Sequence, residues 1–183
     1  MCEIEKELKN SCKMMGVSPA ILPFPYPDVK VTEKNLSYAE ILKHDFCGMV
    51  SELSAITQYI HTEIMLSNRN CPVATVILGI AMAEMIHLQK LGELIELLGG
   101  CVDYQTMVQN QRSTVSVSWN AGWLRLQNEP GKMLRSGIEA EKAAIAQYKK
   151  HMQMIKDPHV CNMIARIIQD EEYHISLLQS CQV

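Results

Sequence analysis

Apolar residues recur at intervals of three and four positions along most of the chain, the spacing that places them on one face of an α-helix. Four such segments cover about residues 37–67, 72–97, 131–156 and 158–179. The first ends at "SNRNCP", the second at the glycines of "LLGG", and the third at "KDP", all of which interrupt a helix. The pattern therefore predicts four long helices.

The lengths of the connections predict how these helices pack. Short connections within the first and second pairs make each pair antiparallel neighbours, whereas about 30 residues, 101–130, separate the second helix from the third. Such a crossover is typical of a bundle whose second and third helices run parallel. The predicted fold is an all-α four-helix bundle of two antiparallel pairs joined by a long crossover. This domain covers residues 37–183, behind a leader, residues 1–36, made of a short helix over 3–15 and the proline-rich arm "SPAILPFPYPD".

Composition supports a helical protein and excludes several kinds of partner. The chain is 48% hydrophobic but only 5% aromatic, which favours helices over a β-sandwich. Its net charge of −3 has no basic stripe, so nucleic acid is not an expected partner. No apolar run reaches the roughly 18 residues of a membrane span, so no membrane partner is expected. Seven cysteines without a CxxC pair predict reduced thiols, mostly in the core, and a cytoplasmic location.

The two halves of the chain resemble each other. "ELSAITQY" at 52–59 and "EKAAIAQY" at 141–148 share five of eight residues at an offset of 89. "EMIH" at 84–87 and "EEYH" at 171–174 repeat a glutamate and a histidine three positions apart at an offset of 87. One helical hairpin is therefore predicted to occur twice.

The repeated polar residues interrupt apolar helices. A glutamate and a histidine three positions apart lie on one helix face and can aim two donor atoms at one point. A mid-helix glutamate precedes each of these pairs, and a tyrosine follows each glutamate by two turns, at Tyr59 and Tyr148. Six side chains are predicted to converge inside the bundle: Glu52, Glu84, His87, Glu141, Glu171 and His174.

The charge of this set determines what it must hold. Four ionised carboxylates in a core each lose several kcal/mol of solvation and repel one another. Two neutral imidazoles do not offset a charge of −4, whereas two divalent cations do. Carboxylate with imidazole suits iron or manganese better than zinc, although ligand type leaves zinc open.

Taken together, these motifs resemble the ferritin-like superfamily, particularly bacterioferritin and the di-iron domain of rubrerythrin. The resemblance covers residues 37–100 and 131–181. It implies two iron ions, with manganese as the alternative. By the same resemblance, Glu52 and Glu141 would be terminal ligands, Glu84 and Glu171 would bridge the ions, and each histidine would ligate one.

Further side chains are predicted to act around the ligands. Tyr59 and Tyr148 are expected to donate hydrogen bonds to ligand carboxylates across the bundle and thereby to support catalysis. Asp170 would support His87, but Ala83 stands where bacterioferritin has the equivalent aspartate, so His174 needs another partner or a water. Met85 matches the position of a haem-ligating methionine, but we interpret it as a packing residue and expect no haem.

Several functions are compatible with this centre. The leading hypothesis is a cytoplasmic oxidoreductase acting on hydrogen peroxide or dioxygen, as a rubrerythrin-like peroxidase or a ferroxidase. Without a CxxC pair for a rubredoxin centre, repeated peroxide reduction would need an external electron donor. The alternatives are iron storage of the bacterioferritin type, peroxide disproportionation like that of manganese catalase, and a metal-free scaffold. A homodimer or a higher homo-oligomer is expected.

Overall fold

A computed structural model describes residues 16–109 and 113–182. In this part of the chain the helices are α1 (Leu36–Cys47), α2 (Glu52–Ser67), α3 (Cys71–Leu97), α4 (Pro130–Met154) and α5 (Pro158–Ser180). Helices α2 to α5 form the predicted four-helix bundle, with α2 against α3 and α4 against α5. The helix predicted over 3–15 lies outside the described residues.

The prediction of one continuous helix over 37–67 is wrong. Helix α1 ends at Cys47 and α2 begins at Glu52. Ser51 is the reason for the new start, since its hydroxyl accepts a hydrogen bond from the Ser54 amide at 3.2 Å and donates one to the Gly48 carbonyl at 2.7 Å. Glu52 therefore lies in the first turn of α2, where the helix dipole favours a carboxylate, rather than in mid-helix.

The crossover between α3 and α4, predicted only as a long connection, contains regular secondary structure. It contains an antiparallel hairpin, β1 (Gln105–Gln109) and β2 (Thr114–Ser118), with Gln105 opposite Ser118. The alternating "TVSVS" of β2 has the period of a strand. After the hairpin, the Trp119 indole donates to the Ser54 hydroxyl at 3.0 Å, which attaches the crossover to α2.

The proline-rich part of the leader, residues 17–34, lies along α3 and α5, and we call it the N-terminal strap. The Ala20 amide donates to the Gly79 carbonyl at 2.8 Å, and Arg166 donates to the Leu22 and Phe24 carbonyls at 3.0 Å each. A Cβ atom on Gly79 would lie 3.1 Å from the Ser18 carbonyl oxygen, so glycine permits this close approach.

Two apolar clusters fill the bundle. One includes Leu42, Phe46, Leu91 and Tyr148, and the other includes Tyr59, Ile77, Ile80 and Leu178. The two tyrosines that follow the motif glutamates thus belong to different clusters. Each of these tyrosines donates a hydrogen bond to one of the predicted ligands, Tyr59 to Glu141 and Tyr148 to Glu52.

The expectation that no segment is apolar enough to span a membrane needs correction for α3. This helix contains an 18-residue stretch of mean hydropathy 1.8, which by length and composition alone would suffice. Half of that stretch is buried in the bundle, and it carries Glu84 and His87 in its buried face. We interpret α3 as a core helix.

The cysteines are less buried than the sequence suggested. Among those in the described residues, Cys47 is buried, Cys101 is exposed, and Cys71, Cys161 and Cys181 are partly exposed. Cys2 and Cys12 lie outside the described residues. The expectation of mostly core thiols therefore holds only for Cys47 in this part of the chain.

A methyl group at Gly100 is expected to destabilise the fold. Its Cβ would lie 2.7 Å from the Ala39 Cβ and 3.0 Å from the Ile95 Cγ2, between α1 and α3, where neither neighbour can move freely. Gly100→Ala should lower the free energy of unfolding by about 1–3 kcal/mol in urea denaturation. Gly131→Ala is the control, because its Cβ would meet only the flexible end of Arg135 at 3.4 Å. Equal denaturation midpoints for the two variants would contradict this packing.

Candidate metal centre

The six side chains singled out as candidate ligands lie together in the centre of the bundle. Each is at most 3% exposed. Helices α2 and α4 contribute one glutamate each, and α3 and α5 each contribute a glutamate and a histidine three positions apart. The imidazole rings of the two histidines stack with their centroids 5.9 Å apart.

Carboxylate oxygens surround the Nδ1 atom of each histidine. His87 Nδ1 lies 3.0 Å from Glu84, 3.3 Å from Glu171 and 3.6 Å from Glu52. His174 Nδ1 lies 2.9 Å from Glu171, 3.2 Å from Glu84 and 3.6 Å from Glu141. Glu84 and Glu171 therefore reach both histidines, whereas Glu52 and Glu141 each reach one.

The opposite ring nitrogen of each histidine is held by a different partner. His174 Nε2 lies 2.9 Å from the Ala20 carbonyl oxygen, which can only accept, so Nε2 carries a proton. His87 Nε2 lies 3.1 Å from the Tyr26 hydroxyl and 3.3 Å from Asp170 Oδ2. Since the Tyr26 hydroxyl donates to the same Asp170 oxygen at 2.6 Å, it accepts from His87. When the rings are neutral, each Nδ1 atom therefore carries a lone pair that points at the carboxylates.

This arrangement fits two cations. A lone pair facing three carboxylate oxygens is repulsive unless a cation lies between them. Glu84 Oε1 and Glu171 Oε1 are buried and accept no hydrogen bond from any residue that the structure describes. Ligand atoms lie within 4.8 Å of one another in two groups, Glu52–Glu84–His87–Glu171 and Glu84–Glu141–Glu171–His174. Two divalent ions would balance the charge of the four carboxylates, with one ion in each group. Glu84 and Glu171 belong to both groups and could bind either ion.

In the protein without metal, protons take the place of the cations. Burial, together with the charges of the other carboxylates, raises the pKa of Glu84 well above its ordinary value, and burial and the Glu171 charge raise that of Glu141 to about 7. Burial lowers the pKa values of His87 and His174, but the surrounding carboxylates outweigh it and raise both. The metal-free cluster therefore retains protons that a metal would displace.

Two tyrosines hold the outer glutamates across the bundle. Tyr59 of α2 donates a short hydrogen bond to Glu141 of α4, and Tyr148 of α4 donates one to Glu52 of α2. Burial and the neighbouring carboxylate charges raise the pKa of both phenols well above 10, so they remain donors. Each tyrosine thereby fixes one carboxylate, and their catalytic role stays a prediction.

Asp170 lies at the centre of a charged network behind His87. It forms an ion pair with Arg166 at 2.7 Å and accepts from the Leu22 amide at 2.8 Å. Burial alone would raise its pKa, but the hydrogen bonds from His87, Arg166, Leu22 and Tyr26 hold it well below the ordinary value. Asp170 is therefore an anion that supports the ring of His87.

A cavity of about 110 Å³ reaches the cluster from the side opposite the strap. Glu52, Glu84 and Glu141 lie at its inner end, and its lining includes Met49, Arg125 and Glu139, which are exposed. The Arg125 amide donates to the Gln58 side chain at 3.2 Å, which places the end of the crossover over this cavity. Small molecules can thus approach the outer glutamates between α2 and α4.

The sequence analysis did not identify several groups that surround the predicted ligands. Two of them, Ala20 and Tyr26, lie in the strap, and a third, Arg166, lies on α5. The sequence signals for them were weak: an aromatic residue in a proline-rich arm and a lone arginine on an apolar helix face. Asp45 of α1 lines the cavity and contacts His151 Nδ1 at 2.7 Å, and both side chains are buried.

Comparison with known families identifies the class of protein. The model of the ferritin-like domain matches residues 49–181, so the chain belongs to the ferritin-like family. The matched region contains the bundle, the crossover and all six candidate ligands. This family membership agrees with the resemblance drawn from the four motifs.

Individual relatives share the fold at low sequence identity. A probable manganese catalase from Clostridium acetobutylicum is 24% identical over 165 residues, 82% of this chain and 72% of that protein. The crystal structure of a manganese catalase from Anabaena superposes with a TM-score of 0.72 at 23% identity, over 87% of this chain and 77% of that one. A bacterioferritin from Mycobacterium tuberculosis gives a TM-score of 0.66 at 22% identity, over 81% and 86% of the respective chains.

Metal binding is expected to release protons and to weaken in acid. Because Glu84 and Glu141, the latter with a pKa of about 7, hold protons in the metal-free protein, their displacement opposes binding as the pH falls through 7. The affinity for Mn²⁺ should change by up to ~tenfold per pH unit for each proton released. Calorimetric titration in buffers of different ionisation enthalpy measures that number, and an affinity that does not vary between about pH 6 and about pH 8 would contradict the proton-for-metal exchange.

Removing one buried carboxylate should change stability in opposite directions with and without metal. Glu84→Gln removes an acid whose pKa is raised, so at about pH 8 it should stabilise the metal-free protein by ~1 kcal/mol. The same change should abolish the rise in melting temperature that Mn²⁺ gives the unmodified protein. Glu96→Gln, on the exposed face of the same helix, is the control and should alter neither quantity. An undiminished Mn²⁺ effect in Glu84→Gln would show that this carboxylate binds no metal.

Proposed function

We propose that the protein is a di-metal oxidoreductase that disproportionates hydrogen peroxide, with two manganese ions as its first candidate cofactor. The observation that carries the proposal is the buried set of four carboxylates and two Nδ1 lone pairs, whose charge two divalent cations would balance. The likeness to two manganese catalases in sequence and fold supports manganese and peroxide. A cytoplasmic location and a homo-oligomeric state are part of the same proposal.

The reaction needs no external electron donor. One peroxide is oxidised to dioxygen and gives up two electrons and two protons, and a second peroxide accepts both, its O–O bond breaks, and two waters form. When bound, a pair of redox-active ions supplies the two-electron exchange between the two steps. The protein must therefore admit peroxide, position the carboxylates and keep bulk water away.

The described residues are suited to these tasks. The cavity of about 110 Å³ accommodates a molecule of a few heavy atoms and leads to Glu52 and Glu141. Tyr59 and Tyr148 hold these two carboxylates in place and, with their raised pKa values, keep their hydroxyl protons. On the opposite side, the strap covers the histidines. Peroxide is thus directed to one face of the centre.

A second candidate uses the same ligands with iron. The structural likeness to bacterioferritins, including a Desulfovibrio desulfuricans protein with a di-iron site and a TM-score of 0.65 at 21% identity, supports this alternative. As a rubrerythrin-like peroxidase, the protein would consume an external electron donor. As a ferroxidase or an iron store, it would consume Fe²⁺ and dioxygen, and storage would further require a shell of many subunits.

Oxygen evolution from peroxide separates these functions. The protein loaded with Mn²⁺ is expected to release one dioxygen for every two peroxides consumed, without added reductant, as measured with an oxygen electrode. Glu84→Gln should reduce the rate to that of free Mn²⁺ at the same concentration. Glu96→Gln should keep the rate, because Glu84 reaches both histidines whereas Glu96 lies on the exposed face of α3.

Other outcomes favour the alternatives. Peroxide consumption by the iron-loaded protein only with a reductant would replace disproportionation by peroxidase activity. Stoichiometric oxidation of Fe²⁺ without oxygen release, together with a particle mass of many subunits, would favour storage.

A further inference from the structure

The N-terminal strap contacts the Nε2 side of both candidate ligand histidines. The Ala20 carbonyl accepts from His174 at 2.9 Å, and the Tyr26 hydroxyl accepts from His87 at 3.1 Å. The ring of Tyr26 also meets that of His87 edge to face, with centroids 6.1 Å apart, and the guanidinium carbon of Arg166 lies 4.5 Å from the centre of the Tyr26 ring. The strap is therefore packed directly against the centre.

These contacts determine which nitrogen of each ring faces the carboxylates. An acceptor placed at Nε2 keeps the proton there and leaves Nδ1 as the donor to a metal, and it also fixes the orientation of the ring. Groups beyond the ligands that act in this way typically contribute ~10–100-fold to metal affinity. In this chain the strap provides such groups to both histidines.

The repeat within the chain explains why the strap is needed. At the offset of 87 residues that relates the two Glu-x-x-His motifs, Ala83 is the counterpart of Asp170. Asp170 supports His87 from the other half, but an alanine cannot do the same for His174. The Ala20 carbonyl takes that position, and in the described residues it is the one hydrogen-bond partner of His174 Nε2.

We infer that the strap forms part of the metal centre and that its docking and metal binding stabilise each other. The Tyr26 hydroxyl is the positioning group for His87, and the Ala20 carbonyl is the positioning group for His174. The inference rests on the proposed di-metal centre. Linkage makes the coupling reciprocal: if a docked strap raises metal affinity, then bound metal strengthens the docking of the strap by the same factor.

Two substitutions away from the ligands test this coupling. Tyr26→Phe removes the hydroxyl between His87 and Asp170. Gly79→Val places a branched side chain against the Ser18 carbonyl, already 3.1 Å from a Cβ at this position, and so displaces the strap beside Ala20. Each should weaken at least one of two Mn²⁺ binding steps about tenfold or more in calorimetric titration. Tyr38→Phe, which removes a hydroxyl that accepts from the Lys156 amide, is the matched control and should stay within about twofold of the unmodified protein.

Hydrogen exchange measures the reverse direction of the coupling. The Ala20 and Leu22 amides donate to Gly79 and Asp170, respectively, and report directly on strap docking. Adding Mn²⁺ to the protein should slow the exchange of both amides about tenfold or more, because docking and metal affinity are coupled by the same factor. Exchange in the β2 strand, Thr114–Ser118, should not change, and Tyr26→Phe should reduce the effect on the strap.

The outcomes separate the two proposals. Suppose that the unmodified protein and both variants bind two Mn²⁺ with equal affinity, and that Mn²⁺ does not change the hydrogen-exchange rates of the strap amides. The inference about the strap is then overturned, while the proposed metal centre stands. If the unmodified protein binds no Mn²⁺ or Fe²⁺, the proposed function falls and the inference falls with it. Should Gly79→Val fail to fold by circular dichroism, Tyr26→Phe and the exchange measurement still decide.

Discussion

The structure depends on one electrostatic constraint, the burial of four carboxylates among aliphatic side chains. In such surroundings each charge must be matched by a cation, a proton or a hydrogen-bond donor. Tyrosine hydroxyls donate to Glu52 and Glu141, whereas Glu84 and Glu171 each retain a buried oxygen that has no hydrogen-bond donor within residues 16–109 and 113–182. Those two oxygens face the histidine Nδ1 atoms, so the place where charge balance is incomplete is also the place where two metal ions fit.

The internal repeat gives the centre an approximate two-fold arrangement, and the leader makes it unequal. His87 is supported by a carboxylate and a phenol, while His174 is supported by a neutral backbone carbonyl. A carboxylate partner increases the basicity of an imidazole ligand more than a carbonyl does. The two proposed metal positions therefore differ in donor strength although their ligands are of the same types.

The surroundings of the centre divide it into a closed side and an open side. The strap, Asp170 and Arg166 cover the histidines, and the cavity between α2 and α4 reaches the outer glutamates. The break before Glu52 contributes to this opening, because Met49 and Ser51 at the break line the cavity. In the described part of the chain, this cavity therefore approaches the centre from the side away from the strap.

The sequence alone determined the four-helix bundle and the set of six candidate ligands. Helical periodicity and the duplicated motifs can be read from the order of the residues, and the charge of the ligand set follows from the residue types. It did not reveal the end of α1 at Cys47, the hairpin in the crossover or the support of His174 by Ala20. These features were decided by the tertiary structure. A backbone carbonyl has no side-chain identity to recognise, and Ala20 and His174 are 154 positions apart in the chain, so only the packing of the strap against α3 and α5 brings them together.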